Sequence, residues 1–285
     1  VVFENLFTDK NIFKKEKDEI DKKVDENLDV AFKKSEAFCE FNRKDREYFG
    51  INKLEYIRKR TSELIHKATD VLLDMSKSSK FQTDSVETQF VYNINKDDEK
   101  KQPLNIGGKI DRIEICDVDG ETYVNVIDYK SGTREKNINP QEISLGTNIQ
   151  LTLYIDYCLN DKYRIDDKKA KFAGAFYFWV ADPYKRNDDY QSSIDDVKGQ
   201  LGYGGILNSD VKTIENFYNN VYVSCKKSGA ISKVKSADGY MLGSVYKNEN
   251  EMDGLIADMR NIVNETVENI GKGVITAKPS ASKNC

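Results

Sequence analysis

The stretch GGKIDRIEICDVDGETYVNVIDYKSG, residues 107–132, predicts two β-strands joined by a tight turn. Apolar and polar residues alternate on both sides of Asp119-Gly120, a dipeptide that strongly indicates a two-residue hairpin turn. A turn at these two residues sets Ile113 opposite Val126 on the neighbouring strand. The turn and the apolar pairs therefore fix the register of the hairpin.

That register brings three charged side chains together in strands that otherwise resemble core. Asp111 falls opposite Asp128, and Lys130 shares their face because side chains two apart on a strand point the same way. Two carboxylates at about 4 Å, with an effective dielectric constant of about 20, repel by about 4 kcal/mol. A shared proton, a salt bridge to Lys130 or a divalent cation could offset this cost. The alternative is a solvated hairpin end where charges cluster by chance.

Composition limits the kind of protein without naming it. Charged residues make up 32% of the 285 residues and hydrophobic residues 39%, which is typical of a water-soluble domain. The formal net charge of -4 excludes a globally basic surface, so nucleic acid would have to bind a local patch or a larger assembly. No apolar run is long enough to cross a bilayer and no leader precedes the chain, so we expect a cytoplasmic protein without membrane contact.

The cysteines argue against a disulfide framework. They are five in number, widely scattered, and none forms a C-x-x-C pair. We expect the first four to be buried thiols that act as small apolar groups. These are Cys39, Cys116, Cys158 and Cys225.

Hydrophobic periodicity predicts the elements around the hairpin. Charged residues dominate 10–50, which indicates solvated helices, and an apolar stripe over 51–76 predicts a helix that packs on the core. We expect a strand over 85–94, a mostly buried helix over 144–160, a strand over 172–181 and a loop over 185–205. A long amphipathic helix over 252–270 should end at Gly271 and Gly273. We divide the chain into a helical region, 1–80, and a core with a C-terminal helix, 81–285.

Several motifs resemble those of one nuclease superfamily. GGKIDRIE, VIDYKSG and SLGTNIQLTLYID are similar to the RecB-type motifs of the PD-(D/E)XK nucleases. The later segments AGAFYFWVADP, GYGGIL and IGKGVITAKP resemble the C-terminal nuclease domain of the AddB (RexB) family of bacterial helicase-nuclease subunits. The resemblance implies an α/β fold with a restriction-endonuclease-like core, in which helices flank a central mixed β-sheet and helical additions lie at both ends.

The resemblance also implies a set of site residues. Asp111 and Asp128 would bind Mg²⁺ or Mn²⁺, together with the backbone carbonyl of Tyr129, and Lys130 would be the catalytic lysine. Gln150 and Tyr154 match the last motif and share one helix face, although a locally satisfied buried polar pair is the alternative.

Three further residues are less certain in role. Glu87 is either an additional acid or a structural residue. RecB-type nucleases usually add a histidine from an early helix, but His66, the only histidine, falls in the helix predicted to pack on the core. FENLF resembles the residues that follow that histidine, which we therefore expect upstream of Val1. Cys285 would bind a 4Fe–4S cluster in a longer protein, but the cluster's other ligands are absent from this sequence.

The function expected from the resemblance is metal-dependent cleavage of DNA. Bacterial relatives of this type act with an AddA (RexA) helicase-nuclease subunit in double-strand-break processing. Two alternatives remain: a stand-alone RecB-like or Cas4-like exonuclease, and a catalytically idle module for DNA binding or assembly. Loss of cleavage on Asp128→Ala would separate the enzymes from the idle module.

Overall fold

A computed structural model describes residues 2–9, 11–41, 51–131, 142–143, 145–166, 168–180, 202–237, 239–240, 242–243 and 245–274. Six α-helices lie in these ranges: α1 Val2–Phe7, α2 Lys17–Phe41, α3 Ile51–Lys77, α4 Gln150–Tyr157, α5 Val211–Phe217 and α6 Glu249–Gly271. The strands are β1 Gln82–Asn93, β2 Asn105–Val118, β3 Glu121–Ser131, β4 Lys171–Val180, β5 Tyr203–Asn208, β6 Val221–Cys225, β7 Ile231–Ser236 and β8 Val245–Lys247. None of the helices in the described ranges is both long and apolar enough to cross a membrane.

Six of the strands form one mixed sheet in the order β1-β2-β3-β4-β5-β8. The β3–β4 and β5–β8 pairs are parallel, and the other neighbours are antiparallel. Strands β6 and β7 form a separate antiparallel pair. Helices cover both faces of the large sheet, so the predicted α/β architecture with a central mixed sheet is confirmed.

The hairpin β2–β3 has the predicted turn and register. Asp119 and Gly120 have φ values of 52° and 76°, the two positive values that a type I′ turn requires. Ile113 pairs with Val126, as the sequence predicts. The ladder ends at Arg112 and Ile127, one position before Asp111 and Asp128.

Each face of the sheet has its own hydrophobic core. Helices α1, α2 and α3 cover one face together with the β6–β7 hairpin, and this face contains Ile127 and Phe178. Helices α4 and α6 cover the opposite face, which contains Ile113, Val124 and Val126. Because side chains alternate along β3, Asp128 and Lys130 fall on the α4/α6 face.

Two elements differ from the prediction. The helix expected from Ser144 begins at Gln150 instead, after a turn in which Gly146 has φ 75°, and Ser144 lies outside the described residues. The glycine-rich segment expected to be loop ends in strand β5, which starts at Tyr203. Residues 185–200 of the expected loop are also outside the described ranges.

Glycine in β5 has a packing reason that the sequence pattern hides. A Cβ on Gly205 would overlap the carbonyl oxygen of Ala175 and would lie 2.8 Å from the Cα of Phe176. The close approach of β4 and β5 therefore requires a residue without a side chain.

We expect Gly205→Ala to lower the free energy of unfolding by about 1–3 kcal/mol, because the methyl group would push the two backbones apart. Urea denaturation measures this change. The control is Gly254→Ala in α6, where a Cβ would meet no atom within 4 Å. That variant should gain about 0.5–1 kcal/mol from helix propensity. Equal effects of the two substitutions would contradict the packing argument.

The cysteine prediction is correct in part. Cys116 and Cys158 are free and buried, as expected. Cys225 is free but exposed, because it lies at the end of β6, where the hairpin leaves the core. The side chain of Cys39 lies outside the described residues.

Candidate active site

Asp128 is a buried carboxylate at the end of β3. Its side chain is only 5% exposed, and its Oδ2 atom lies 2.7 Å from the Nζ atom of Lys130. Gln150 Nε2 donates a hydrogen bond to Asp128 Oδ1 at 2.9 Å. Burial raises the pKa of Asp128, the negative charge of Asp111 raises it further, and Lys130 opposes both effects. Ionised Asp128 is therefore a buried charge that one partly exposed lysine only partly compensates.

Asp111 takes over where the ladder of β2 and β3 ends. Its Oδ2 atom accepts a hydrogen bond from the backbone N–H of Tyr129 at 2.7 Å. A side chain thus replaces the next backbone partner, and the two strands separate at this point. Asp111 is half-buried and close enough to Asp128 to affect its pKa.

Gln150 links the two hairpin strands to helix α4. It is the first residue of that helix, and its Oε1 atom accepts a hydrogen bond from Lys130 Nζ at 2.8 Å. Its Nε2 group, which also bonds Asp128, donates to the hydroxyl of Tyr154 at 2.8 Å. That hydroxyl donates to the backbone carbonyl of Lys109 at 2.8 Å, so the network returns to β2. Four of the predicted site residues thus form one connected hydrogen-bond network.

Glu87 is held in an unusual conformation next to this network. The register on either side of it sets Glu87 opposite Asp111, and its φ of 49° is rare for a residue with a side chain. Its carboxylate forms an ion pair with Lys109. Burial and a hydrogen bond with Glu87 raise the pKa of Glu4 in α1. Glu87 is therefore engaged by Lys109 and Glu4, and its role stays open between an additional acid and a structural residue.

His66 lies in a different environment. It is on α3, with Nδ1 3.2 Å from Asp21 Oδ1 and Nε2 2.8 Å from Asp25 Oδ1. Both acids belong to α2, so the imidazole joins the two helices as a packing residue would. Cys285, the expected cluster ligand, lies outside the described residues.

A buried arginine beneath the site was not anticipated from the sequence. Arg112 is fully buried on the face opposite the network and bonds the hydroxyl of Tyr203. Its guanidinium lies 4.1 Å from the ring centroid of Phe7 in α1 and 5.7 Å from that of Tyr129. Its NH2 atom is 3.2 Å from Glu114 Oε1. Helix α1 is thereby fixed below the backbone segment that carries the two acids.

A second buried ion pair anchors the helix that carries Gln150. Asp156 of α4 is fully buried and receives hydrogen bonds from Arg260 Nε at 2.8 Å and NH2 at 2.7 Å. The hydroxyl of Tyr92 also accepts from Arg260, at 2.6 Å. These contacts join α4, α6 and β1. The spacing of 104 residues between the charged partners left no local sequence signal.

The donor set fits a hard divalent cation. Asp128 Oδ2 is buried and, apart from the ion pair with Lys130, has no hydrogen-bond partner among the described residues. Mg²⁺ typically takes one or two carboxylates and completes its shell with water and substrate phosphate. Asp111 and Asp128 supply those two carboxylates. Within the described ranges, no cluster of three or more His, Cys, Asp or Glu side chains forms a closed metal cage.

Comparison with known proteins identifies the family. The model of the PD-(D/E)XK nuclease superfamily matches residues 6–285. The chain belongs to the PD-(D/E)XK nuclease superfamily. The observed mixed sheet, with its acidic hairpin at the end of β3, is accordingly a PD-(D/E)XK fold.

Curated relatives of this PD-(D/E)XK chain are named as AddB-type subunits of an ATP-dependent helicase/deoxyribonuclease. The relative from Clostridium kluyveri is 32% identical over 146 residues, which cover 48% of this chain and 12% of the relative. The one from Clostridium acetobutylicum is 25% identical over 244 residues, covering 79% and 20%. The one from Staphylococcus haemolyticus is 26% identical over 253 residues, covering 79% and 21%. The chain thus matches about a fifth or less of the length of these relatives.

Proposed function

We propose that this protein is a Mg²⁺-dependent deoxyribonuclease domain that hydrolyses phosphodiester bonds of DNA. The observation that carries the proposal is the connected network of Asp128, Lys130, Gln150 and Tyr154, with Asp111 beside it. Membership of a nuclease superfamily and similarity to AddB-type helicase/deoxyribonuclease subunits support it. Mn²⁺ is expected to substitute for Mg²⁺, because both prefer carboxylate oxygens.

Each residue of the network has a separate role in this proposal. Asp111 and Asp128 hold the divalent ion, with the carbonyl of Tyr129 as a further ligand. When bound, the ion lowers the cost of negative charge at the scissile phosphate and positions water for attack. Lys130, whose side chain is 37% exposed, places its ammonium group where it stabilises charge that builds up on the phosphate. Gln150 orients both Asp128 and Lys130.

We further propose an exonuclease that works within a bacterial helicase-nuclease, with an AddA-type subunit as partner and in the cytoplasm. The similarity to AddB-type helicase/deoxyribonuclease subunits supports this assignment over a stand-alone exonuclease. In that setting the domain would trim one unwound strand during double-strand-break processing and recombinational repair. A 4Fe–4S cluster is proposed for the longer protein only.

Cleavage of labelled single-stranded DNA by the intact protein tests the proposal. We expect Mg²⁺ to support cleavage, EDTA to stop it, and Lys130→Met to reduce kcat by about 10²–10³-fold. Lys168→Met is the control, since this exposed lysine lies near the hairpin turn and its Nζ atom bonds the carbonyl of Gly120. Full activity of Lys130→Met would contradict the catalytic role of the lysine.

Tyr154→Phe tests whether the network orients the site. The substitution removes the hydroxyl that receives the Gln150 hydrogen bond and donates to the Lys109 carbonyl. We expect kcat to fall by about 10–100-fold, as for other residues that orient metal ligands. Tyr157→Phe, on the same helix, is the matched control: the ring of Tyr157 stacks on Phe90 at 4.6 Å and Phe preserves that contact. Equal kcat values for both variants would exclude an orienting role.

A further inference from the structure

The two-stranded sheet β6–β7 has one face in the core and one in solvent. Val223 pairs with Val234 on the inner face. On the outer face Tyr222 pairs with Lys235 and Ser224 with Lys233. All four outward residues are exposed. The pairs follow each other along the ribbon, because residues two apart on a strand share a face.

This outer face is basic on a protein that is acidic as a whole. Residues 221–236 contain four lysines and no acid, whereas the formal net charge of the chain is -4. The lysines are Lys226, Lys227, Lys233 and Lys235, and all are exposed. None of the four forms an ion pair with a residue in the described part of the chain, although most other described lysines near acids do so. The hairpin therefore concentrates uncompensated positive charge.

An aromatic ring stands in the middle of this charge. Tyr222 is 68% exposed, which is unusual for a tyrosine on a strand whose neighbours Val221 and Val223 pack on the core. Lys235 lies directly across the ribbon from it. Exposed aromatic rings flanked by cations are the components of surfaces that bind single-stranded nucleic acid, since bases stack on the ring while lysines contact phosphates.

The hairpin is attached at the same end of the large sheet as the candidate active site. Leu242 N–H donates to the Val234 carbonyl at 3.0 Å, and Leu242 also bridges to Tyr203 at the start of β5. Tyr203 pairs with Phe178, which pairs with Tyr129 of β3. Tyr203 is thus two strands from Tyr129, about 10 Å at the usual strand spacing. A DNA strand at the active site could continue across this end of the sheet towards the hairpin.

We propose that the outer face of the β6–β7 hairpin binds single-stranded DNA, with Tyr222 stacking on a base and the lysines contacting phosphates. The proposal rests on the proposed nuclease function, because it concerns the strand delivered to that site. Charge complementarity selects a polyanion as the occupant, and the exposed ring selects unpaired bases over duplex DNA. An acidic protein partner would use the charges but not the ring.

Fluorescence anisotropy of a labelled oligothymidylate with the intact protein, in EDTA to prevent cleavage, measures this binding. We expect Tyr222→Ala to weaken binding about tenfold and Tyr222→Phe, which keeps the ring, to bind normally. Lys233→Ala/Lys235→Ala should weaken binding and reduce the slope of log Kd against log salt by about 0.7 per lysine. The control Lys33→Ala/Lys34→Ala removes two exposed lysines from α2 and should leave the slope unchanged. Every substituted side chain is exposed, so the fold should persist.

Cleavage with Mg²⁺ separates this proposal from the nuclease proposal. We expect the hairpin variants to raise KM for single-stranded DNA and to leave kcat unchanged. If the wild-type protein cuts DNA and the hairpin variants bind it as tightly as wild type, the hairpin proposal is wrong and the nuclease stands. If binding depends on the hairpin but no DNA is cut, the hairpin proposal stands and the nuclease is wrong. Loss of binding on removal of the lysines but not of Tyr222 would overturn the stacking role.

Discussion

Asp128→Asn should abolish Mg²⁺-dependent DNA cleavage while DNA binding and the fold persist. Asparagine keeps the shape of the side chain and can still accept from Gln150 Nε2, which bonds Asp128 Oδ1 at 2.9 Å. It removes the negative charge that the proposed ion requires, so we expect kcat to fall by at least about 10²–10³-fold. Because burial already raises the pKa of Asp128, loss of the charge should not lower the melting temperature of the metal-free protein. Cleavage kinetics and thermal melting measure the two effects.

The matched control is Asp117→Asn on the same hairpin. Asp117 is exposed and accepts a hydrogen bond from the Thr122 hydroxyl at 2.6 Å, which asparagine can also accept. This variant should cut DNA at the wild-type rate. If Asp128→Asn, Asp111→Asn and Lys130→Met all retained cleavage, the site would be wrong. If the wild-type protein bound DNA but had no cleavage to lose, the idle binding module would be the better description.

Arg260→Met should produce the largest loss of stability. The substitution removes the only cation within ion-pair distance of the buried Asp156 carboxylate among the described residues. Removing one partner of a buried pair leaves an uncompensated charge and costs about 3–5 kcal/mol. Urea denaturation of the intact protein should show this loss. Since the pair holds helix α4, which carries Gln150, kcat should fall as well.

Two further variants make this prediction specific. Asp156→Leu/Arg260→Met removes both charges and should be more stable than Arg260→Met alone, because no unpaired charge remains. Lys272→Met breaks the exposed pair with Glu268 at the end of the same helix and should cost less than about 1 kcal/mol. A double variant as unstable as Arg260→Met would show that lost packing, and not the buried charge, explains the effect.

The hairpin and its acids could be predicted because local chemistry determines them. Asp119-Gly120 fixes the turn, and the apolar pairs fix the register, so Asp111 and Asp128 had to meet at the open end. Alternation along β3 also placed Lys130 on the face of Asp128. Geometry beyond the last ladder pair was not predictable, because there the Asp111 side chain replaces a backbone partner.

Other features depend on partners far away in the sequence. Arg112 resembles any charged motif residue until the tertiary fold places Phe7 and Tyr203 around it. The start of α4 at Gln150 is set by the turn at Gly146, and a periodic pattern that continues through the turn conceals it. The β6–β7 hairpin was missed because its outward residues are polar and its inward residues are few.

Crystals of the protein soaked in Mn²⁺ test the central claim most directly. We predict one strong anomalous peak within coordination distance of both the Asp111 and Asp128 carboxylates, and its loss in crystals of Asp128→Asn. Lys130 should remain beside the ion without binding it, since an ammonium group cannot be a ligand. A soaked crystal without a peak between these two acids, or with its only peak at Glu4 and Glu87, would contradict the account.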